Sequence, residues 1–425
     1  MTADTERQGP STTDTLTRTE AARVSAARGS RFRRWLRRRP VRRAMVLTHR
    51  WTSLVLGLFL VIETTSGAIL LYRAEYFRAT HAELYQHTDG PAPISLSQAR
   101  DLVRQAHPDF TPAWVSNDQG IIAVGDPTFT YIYAVDPGTG HLNGYANIND
   151  GFMGLMANIH DCALTCPTDA GYVAWMATPI LGQTLGGILL VVLGLLMVLL
   201  AITGLITWWP GFRRFSHGFR VRLHRGRFAR DYDLHNVIGL VAVPFVLMWG
   251  VTGAAFELPA VENAWLAITG GTSVDANRYT FTPDPAAANA ADIGLDQAVS
   301  TALQRHPGDI RYVSLPNEDS AYYGVSISGS YAPYNARAFF GGDVFVYVDA
   351  QDAAQASVVD GGNAEPLANT FYEKVFEPAH FGWLVNGWWR IIWVVLGLTP
   401  LALMITGLST WLFRAGTKRR RRAKA

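Results

Sequence analysis

Two cysteines, Cys162 and Cys166, are all that 425 residues contain. That scarcity excludes an iron–sulfur site, which needs a fuller set of thiolates. Their spacing excludes covalent haem attachment through C-x-x-C-H. Lying just after His160, they are expected to close a short local disulfide in an oxidising compartment, with two free buried thiols as the alternative. Charge is also sparse, 17% of the chain against 49% hydrophobic residues, with a formal net charge of +3. Phosphate-cradling glycine loops are missing. Gly138, Gly140 and Gly144 are spaced one residue too long for G-x-G-x-x-G, and the stretch reads as a turn. No other dinucleotide fingerprint or P-loop occurs, so no resident flavin or nicotinamide domain is expected. The first apolar run is long and lacks a small-residue cleavage site, so it reads as a retained anchor rather than a cleaved signal.

What the chain does have is apolar length. Four stretches, roughly 51–72, 179–210, 234–256 and 391–413, reach the roughly 20 residues that a bilayer crossing requires. With a slightly positive mean hydropathy, this composition fits an integral α-helical membrane protein with sizeable aqueous domains. Arginines cluster before the first stretch (Arg37, Arg38, Arg39, Arg42, Arg43), between the second and third (Arg213 to Arg230), and in the tail after Lys418. Basic residues stay inside, so both termini and the middle loop are expected to be cytoplasmic. Beside spans, these runs read as topology determinants and lipid-headgroup contacts rather than nucleic-acid sites.

The expected layout is a disordered basic cytoplasmic tail over 1–44 and a first span over 45–72. An outer domain follows over 73–155, then a short outer helix plus second span over 156–210. A basic loop over 211–233 leads to a third span over 234–256 and a second outer domain over 257–379. A short outer segment plus fourth span over 380–413 precedes a basic tail over 414–425.

The halves repeat. His49 lies seventeen residues before Ser66-Gly67, and His235 lies seventeen before Thr252-Gly253. The second and fourth stretches end alike, in Thr203-Gly204 and Thr406-Gly407, each followed by a tryptophan, Trp208 and Trp411. Ile94, Leu96, Gln98, Ala99 and His107-Pro108 recur as Ile293, Leu295, Gln297, Ala298 and His306-Pro307. A period near two hundred residues implies two copies of one unit, hence a four-helix bundle with pseudo-two-fold halves. Each outer region opens with an amphipathic pattern, 96–106 or 295–305, stopped at His-Pro. Strand-like runs follow at 121–124, 131–135, 323–328 and 344–349. A helix on a small antiparallel sheet, made twice, is the expected α+β fold of each outer domain.

Most of the eleven histidines have plain explanations. His107 and His306 end matched helices, His217 and His224 sit in the basic loop, and His81, His87 and His141 lie in polar loops. His49 and His235 differ, because a polar ring at the entrance of a hydrophobic helix is costly unless partnered. Parallel repeats are related by an axis along the membrane normal, which sets these two histidines face to face. A tetrapyrrole between them would take one imidazole on each face of its iron, an arrangement for electron transfer. His160 and His380, just upstream of the second and fourth spans, form a candidate outer pair. Headgroup-solvated interfacial histidines are the alternative for each one alone. Arg50, Arg73 and Arg390 are candidate haem-propionate partners because guanidinium matches carboxylate; lipid phosphate would suit them equally. Glu63, within the first span, is left between bonding a haem propionate's partner, relaying protons and facing an aqueous crevice. The Ser/Thr-Gly pairs leave room for close helix approach or a flat ring. Trp383, Trp388, Trp389 and Trp393 read mainly as an interfacial belt.

The stretches Thr48-His49-Arg50-Trp51 through Ser66-Gly67, Asp233-Leu234-His235-Asn236 through Thr252-Gly253, the Thr-Gly…Trp helix ends and His380-Phe381-Gly382 resemble the PepSY-associated transmembrane family of bacterial inner-membrane proteins. Its members, often labelled iron-regulated, include ferric-siderophore reductases. The resemblance covers about 44–414. It implies two b-type haems held by histidines, periplasmic PepSY-like domains and an inner-membrane location. The function expected is a di-haem conduit that reduces a ferric siderophore or other ferric chelate outside, with electrons from an external quinol or reductase. Two other readings compete. A non-enzymatic scaffold or sensor that binds periplasmic proteins needs no pigment, and a permease would need polar residues lining several spans, where Glu63 is nearly alone.

Overall fold

Proline near the start of an apolar run suits a helix, because the amide it lacks would find no partner in the first turn. Pro40 is so placed in α1, Arg39–Leu70. The computed structural model describes residues 39–90, 92–210, 212–274, 281–283, 290–328, 344–359 and 366–422. The expected tail over 1–38 lies outside the described residues. Its last part, 39–44, is helical and belongs to α1. After a short helix, Arg73–Thr80, come α2 (Leu96–Ala106), opened by a reciprocal Ser95–Gln98 capping box, and four strands. These are β1 (Trp114–Asp118), β2 (Ile121–Gly125), β3 (Tyr131–Val135) and β4 (Leu142–Asn147). Helix α3, Gly151–Cys162, straddles the expected boundary between outer domain and second span.

The second apolar run is longer than its helix. Pro179–Ile180 and Gln183–Thr184 pair as a small antiparallel ribbon, turned through Leu181 and Gly182 at positive φ. Helix α4, Leu185–Trp208, starts where the Thr184 hydroxyl accepts from the Gly187 amide at 2.9 Å. Helix α5, Arg227–Glu257, begins inside the expected basic loop and carries Pro244 in its interior. A proline is tolerated in a span because neighbouring helices compensate for the missing bond.

The second half continues with α6 (Leu295–Arg305) and strands β5 (Asp309–Ser314), β6 (Tyr322–Ser328), β7 (Val344–Asp349) and β8 (Ala356–Val359). The last span is broken at Leu398 into α7, Arg390–Gly397, and α8, Thr399–Arg422. The expected tail is therefore helical through 414–422, its last three residues lying outside the described ones.

Among the described residues four helices are long and apolar enough to cross a membrane: Pro40–Leu70, Leu185–Trp208, Arg227–Glu257 and the composite Gly387–Arg420. Helices α1 and α5 each pack against both α4 and α8, closing a bundle. Gly194 of α4 and Gly250 of α5 let two backbones touch. A Cβ on either would lie 2.8 or 2.7 Å from the other's carbonyl oxygen.

Outside the bundle the strands of the two halves come together. The two expected outer domains are joined in one eight-stranded antiparallel sheet, ordered β8-β7-β6-β5-β1-β2-β3-β4. Each half alone would expose β1 or β5 as an unpaired edge, which invites pairing. The two edges satisfy each other instead, Trp114 opposite Ser314, Val115 opposite Val313 and Ser116 opposite Tyr312. Ser116 Oγ adds a bond to the Arg311 carbonyl at 2.8 Å. One core lies beneath both α2 and α6, with Val103, Val115, Val124, Ala298, Val313 and Val325 in contact. Ser97 Oγ reaches Asp296 at 2.5 Å, tying the two helices.

Candidate cofactor site: two imidazole pairs

His49 and His235 stand in the third turns of α1 and α5, since both helices begin upstream of the apolar runs. Their rings meet with centroids 6.3 Å apart and planes at 88°. His160, on α3, and His380, ending the short helix Glu377–His380, meet with centroids 6.1 Å apart and planes at 46°. Along α1 the seventeen residues from His49 to Ser66 rise about 25 Å at 1.5 Å each. Because Ser66-Gly67 lies against His160, the two pairs occupy opposite ends of the bundle.

Each Ser/Thr-Gly pair seats an imidazole from another helix. His49 Nδ1 lies 3.1 Å from Thr203 Oγ1 on α4. His235 Nδ1 lies 3.1 Å from both Thr406 Oγ1 and the Leu403 carbonyl on α8. His380 Nδ1 lies 2.6 Å from Thr252 Oγ1 on α5. Each threonine hydroxyl already donates to a carbonyl one turn back, of Leu199, Ala402 or Met248, at 2.7–2.8 Å. Its oxygen is therefore left to accept from Nδ1–H, which fixes the tautomer and puts the lone pair on Nε2. His160 directs its Nδ1–H differently. Its Nδ1 donates to the Glu63 carbonyl at 2.9 Å and lies 3.1 Å from the Glu63 carboxylate.

The glycines make room unequally. A Cβ at Gly67 would lie 2.4 Å from His160 Cε1; at Gly204 it would lie 3.2 Å from His49. At Gly407 and Gly253 the corresponding distances to His235 and His380 are 3.4 and 3.6 Å, ordinary contact.

A cavity of about 640 Å³ opens at the His160–His380 pair, lined by Gly67, His160, Gly253 and His380 and by aromatics including Trp249 and Trp393. Its size falls within the range of small-molecule sites. Burial works against charge on both of these rings. At His160 the hydrogen bond to Glu63 and its negative charge outweigh burial and hold the imidazole up to about 9. His380 is pushed down to about 3 by burial and by the charge on His160.

The arginines divide between the two levels. Arg73 and Arg390 line the same cavity. Arg73 Nη2 donates to the Ile148 carbonyl and Asn149 Oδ1, both at 3.2 Å. Arg390 is paired with Glu75 and lies over the Tyr72 ring at 4.5 Å. Arg50 lies over Trp51 at 5.2 Å, and its buried Nε has no hydrogen-bond partner among the described residues. Trp393, read as part of an interfacial belt, lines the cavity and donates to the Ala379 carbonyl at 2.7 Å.

Glu75, Asp161 and Glu257 were not singled out in the sequence. Asp161 and Glu257 line the cavity beside Glu63, and only the position of Asp161 next to His160 hinted at it. His107 and His306 cap α2 and α6, apart from both pairs. The expected disulfide is present, Cys162 to Cys166, with Cα atoms 5.6 Å apart. Buried Asn158 folds that loop back on α3, accepting from the Cys166 amide at 3.1 Å and donating to the Ala170 carbonyl at 3.1 Å.

Among known proteins, the family described as "PepSY-associated TM region" matches residues 46–414. An uncharacterized protein of Pseudomonas aeruginosa is 27% identical over 249 residues, which cover 54% of this chain and 59% of that relative. The match thus spans less than two thirds of the relative's length.

Proposed function

The chain belongs to the PepSY-associated transmembrane family, and from that premise we propose that it is a di-haem electron conduit. Its role would be to reduce ferric chelates, ferric siderophores first among them, outside a bacterial inner membrane. The observation that carries this reading is the spacing of the imidazole pairs. A coordinating imidazole nitrogen lies about 2 Å from its metal and about 1 Å from its own ring centre. Two rings gripping one ion from opposite sides therefore have centroids about 6 Å apart, against the 6.3 and 6.1 Å found here. Aromatic contact alone also permits such distances, but it does not require every Nδ1 to be held by an acceptor. An anchored Nδ1–H is the usual outer partner of a metal-ligating histidine.

Among the described residues no three His, Cys, Asp or Glu side chains converge on a bare metal ion. A pair of imidazoles suits a metal that brings an equatorial ring of its own. In this assignment His49 and His235 hold the inner haem, and His160 and His380 hold the outer one. Arg50 stands by for propionates inside. Arg73 does so outside, where its five N–H donors exceed the two acceptors described. Arg390, joined to Glu75, presents a paired charge to the same cavity. When bound, b-type haems would supply one-electron transfer.

The two halves are read as copies of one unit, with termini inside and the eight-stranded sheet in the periplasm. An external quinol or reductase gives the electron, and ferric iron takes it. Iron is then released because hard oxygen ligands hold Fe(II) less well than Fe(III). The absorption spectrum of detergent-purified protein tests the assignment. A reducible bis-imidazole signal is expected, halved in either His49→Ala or His380→Ala. Full signal in both variants would reject these ligands, and colourless protein would favour a pigment-free scaffold.

A further inference from the structure

One of the four imidazoles has an outer partner unlike the rest, and we propose that Glu63 is a positioning residue that lowers the midpoint potential of the outer haem. This inference rests on the two-haem reading above. Three Nδ1 atoms lie against threonine hydroxyls, those of Thr203, Thr406 and Thr252. The fourth, on His160, lies 3.1 Å from the Glu63 carboxylate and 2.9 Å from its carbonyl. Ser66 holds the place that threonine holds elsewhere and, like those threonines, donates back along its helix, to the Ile62 and Glu63 carbonyls at 3.0 and 2.8 Å, but the His160 Nδ1 lies against Glu63 instead. A neutral hydroxyl has thus been replaced by an anionic group at one site of four.

Two effects then act in the same direction. An outer carboxylate strengthens an imidazole as a donor, and a stronger donor favours the ferric state. The carboxylate also acts through space, because ferric iron carries one more positive charge than ferrous. That term is weakly screened, since the His160 and Glu63 side chains are only 20% and 17% exposed. Arg73 lines the same cavity and opposes it. Glu63, however, touches the ligand ring itself, whereas Arg73 is held on Ile148 and Asn149. The consequence is a stronger one-electron donor at the outer end, where the ferric substrate would be met.

Potentiometric titration of the haem absorbance provides the test, and it needs no turnover. In a His49→Ala background the remaining signal belongs to the outer site. There Glu63→Gln is expected to raise the midpoint of a single one-electron couple. In a His380→Ala background, which keeps the inner site, the same substitution should leave the midpoint unchanged. If glutamine weakens haem retention, Glu63→Gln with Ser66→Thr supplies the neutral hydroxyl used at the other three sites. That double variant should stay coloured and show the same rise. An unchanged outer midpoint in coloured protein, or an equal rise at the inner site, overturns the role given to Glu63. Colourless wild-type protein would instead remove the two-haem reading, and this inference with it.

Discussion

Replacing Gly67 with alanine adds one methyl group to a helix that intrinsically favours it by about 1 kcal/mol. The outer site should nevertheless fail. The new Cβ would lie 2.4 Å from Cε1, 2.8 Å from Nε2 and 3.0 Å from Nδ1 of His160, where ordinary contact begins at about 3.5 Å. The ring must retreat by roughly 1 Å, a displacement large enough to spoil a fixed geometry. Overpacking of this kind costs about 1–3 kcal/mol, which corresponds to a roughly 5- to 150-fold loss of affinity at that site. Gly253→Ala is the matched control, because its Cβ would meet His380 Cε1 at 3.6 Å. Haem extracted per chain, measured while haem is titrated into apoprotein, reads the difference. Gly253→Ala should fill both sites as wild type does, while Gly67→Ala should fill one at the usual concentration and the other only at much higher haem. Equal filling in the two variants would refute the seating argument.

Two further expectations concern the outer sheet. Gly125 lies directly opposite Trp114, and a Cβ there would fall 1.9 Å from the indole; Gly125→Val should lower the melting temperature of the sheet, with a cost of about 3 kcal/mol or more, and an unchanged melt would contradict the packing described. The Asp136 carboxylate accepts from the Thr139 hydroxyl at 2.7 Å and from the Gly138 and Thr88 amides at 2.9 and 3.0 Å, led by Thr139 in holding its carboxyl well below the usual range. A depressed carboxyl contributes stability that is present above its unfolded value, about pH 4, and is lost as pH falls toward its folded value. Melting temperatures across an acid series should therefore fall less steeply for Asp136→Asn than for wild type, and parallel profiles would sink this assignment.

Local pattern made much of the fold legible. The helices at 96–106 and 295–305 and the strands at 131–135 and 344–349 lie where alternation and His-Pro stops set them. Strands β1 and β5 were not read, because Trp114-Val115-Ser116-Asn117-Asp118 mixes polar residues into both faces. Their union into one sheet is a long-range pairing that no local window contains. The site shows the same division. The repeat singled out His49 and His235, position just upstream of two spans singled out His160 and His380, and the structure brings them together as the two expected pairs. The spacing of seventeen residues tied His49 to Ser66-Gly67, yet that distance is the rise between the two levels, and His49 is seated on Thr203-Gly204 of another helix. The role of Glu63 could not be read from the chain, because its partner His160 stands 97 residues away.

Electron paramagnetic resonance of the oxidised, purified protein tests the two-haem claim most directly. Six-coordinate ferric iron between two imidazoles is low-spin, and its spectrum grows more anisotropic as the ring planes approach perpendicular. The account predicts two low-spin ferric signals per chain. The more anisotropic belongs to His49 and His235, whose planes stand at 88°, and the other to His160 and His380, at 46°. A high-spin signal, or no ferric haem signal at all, would contradict it.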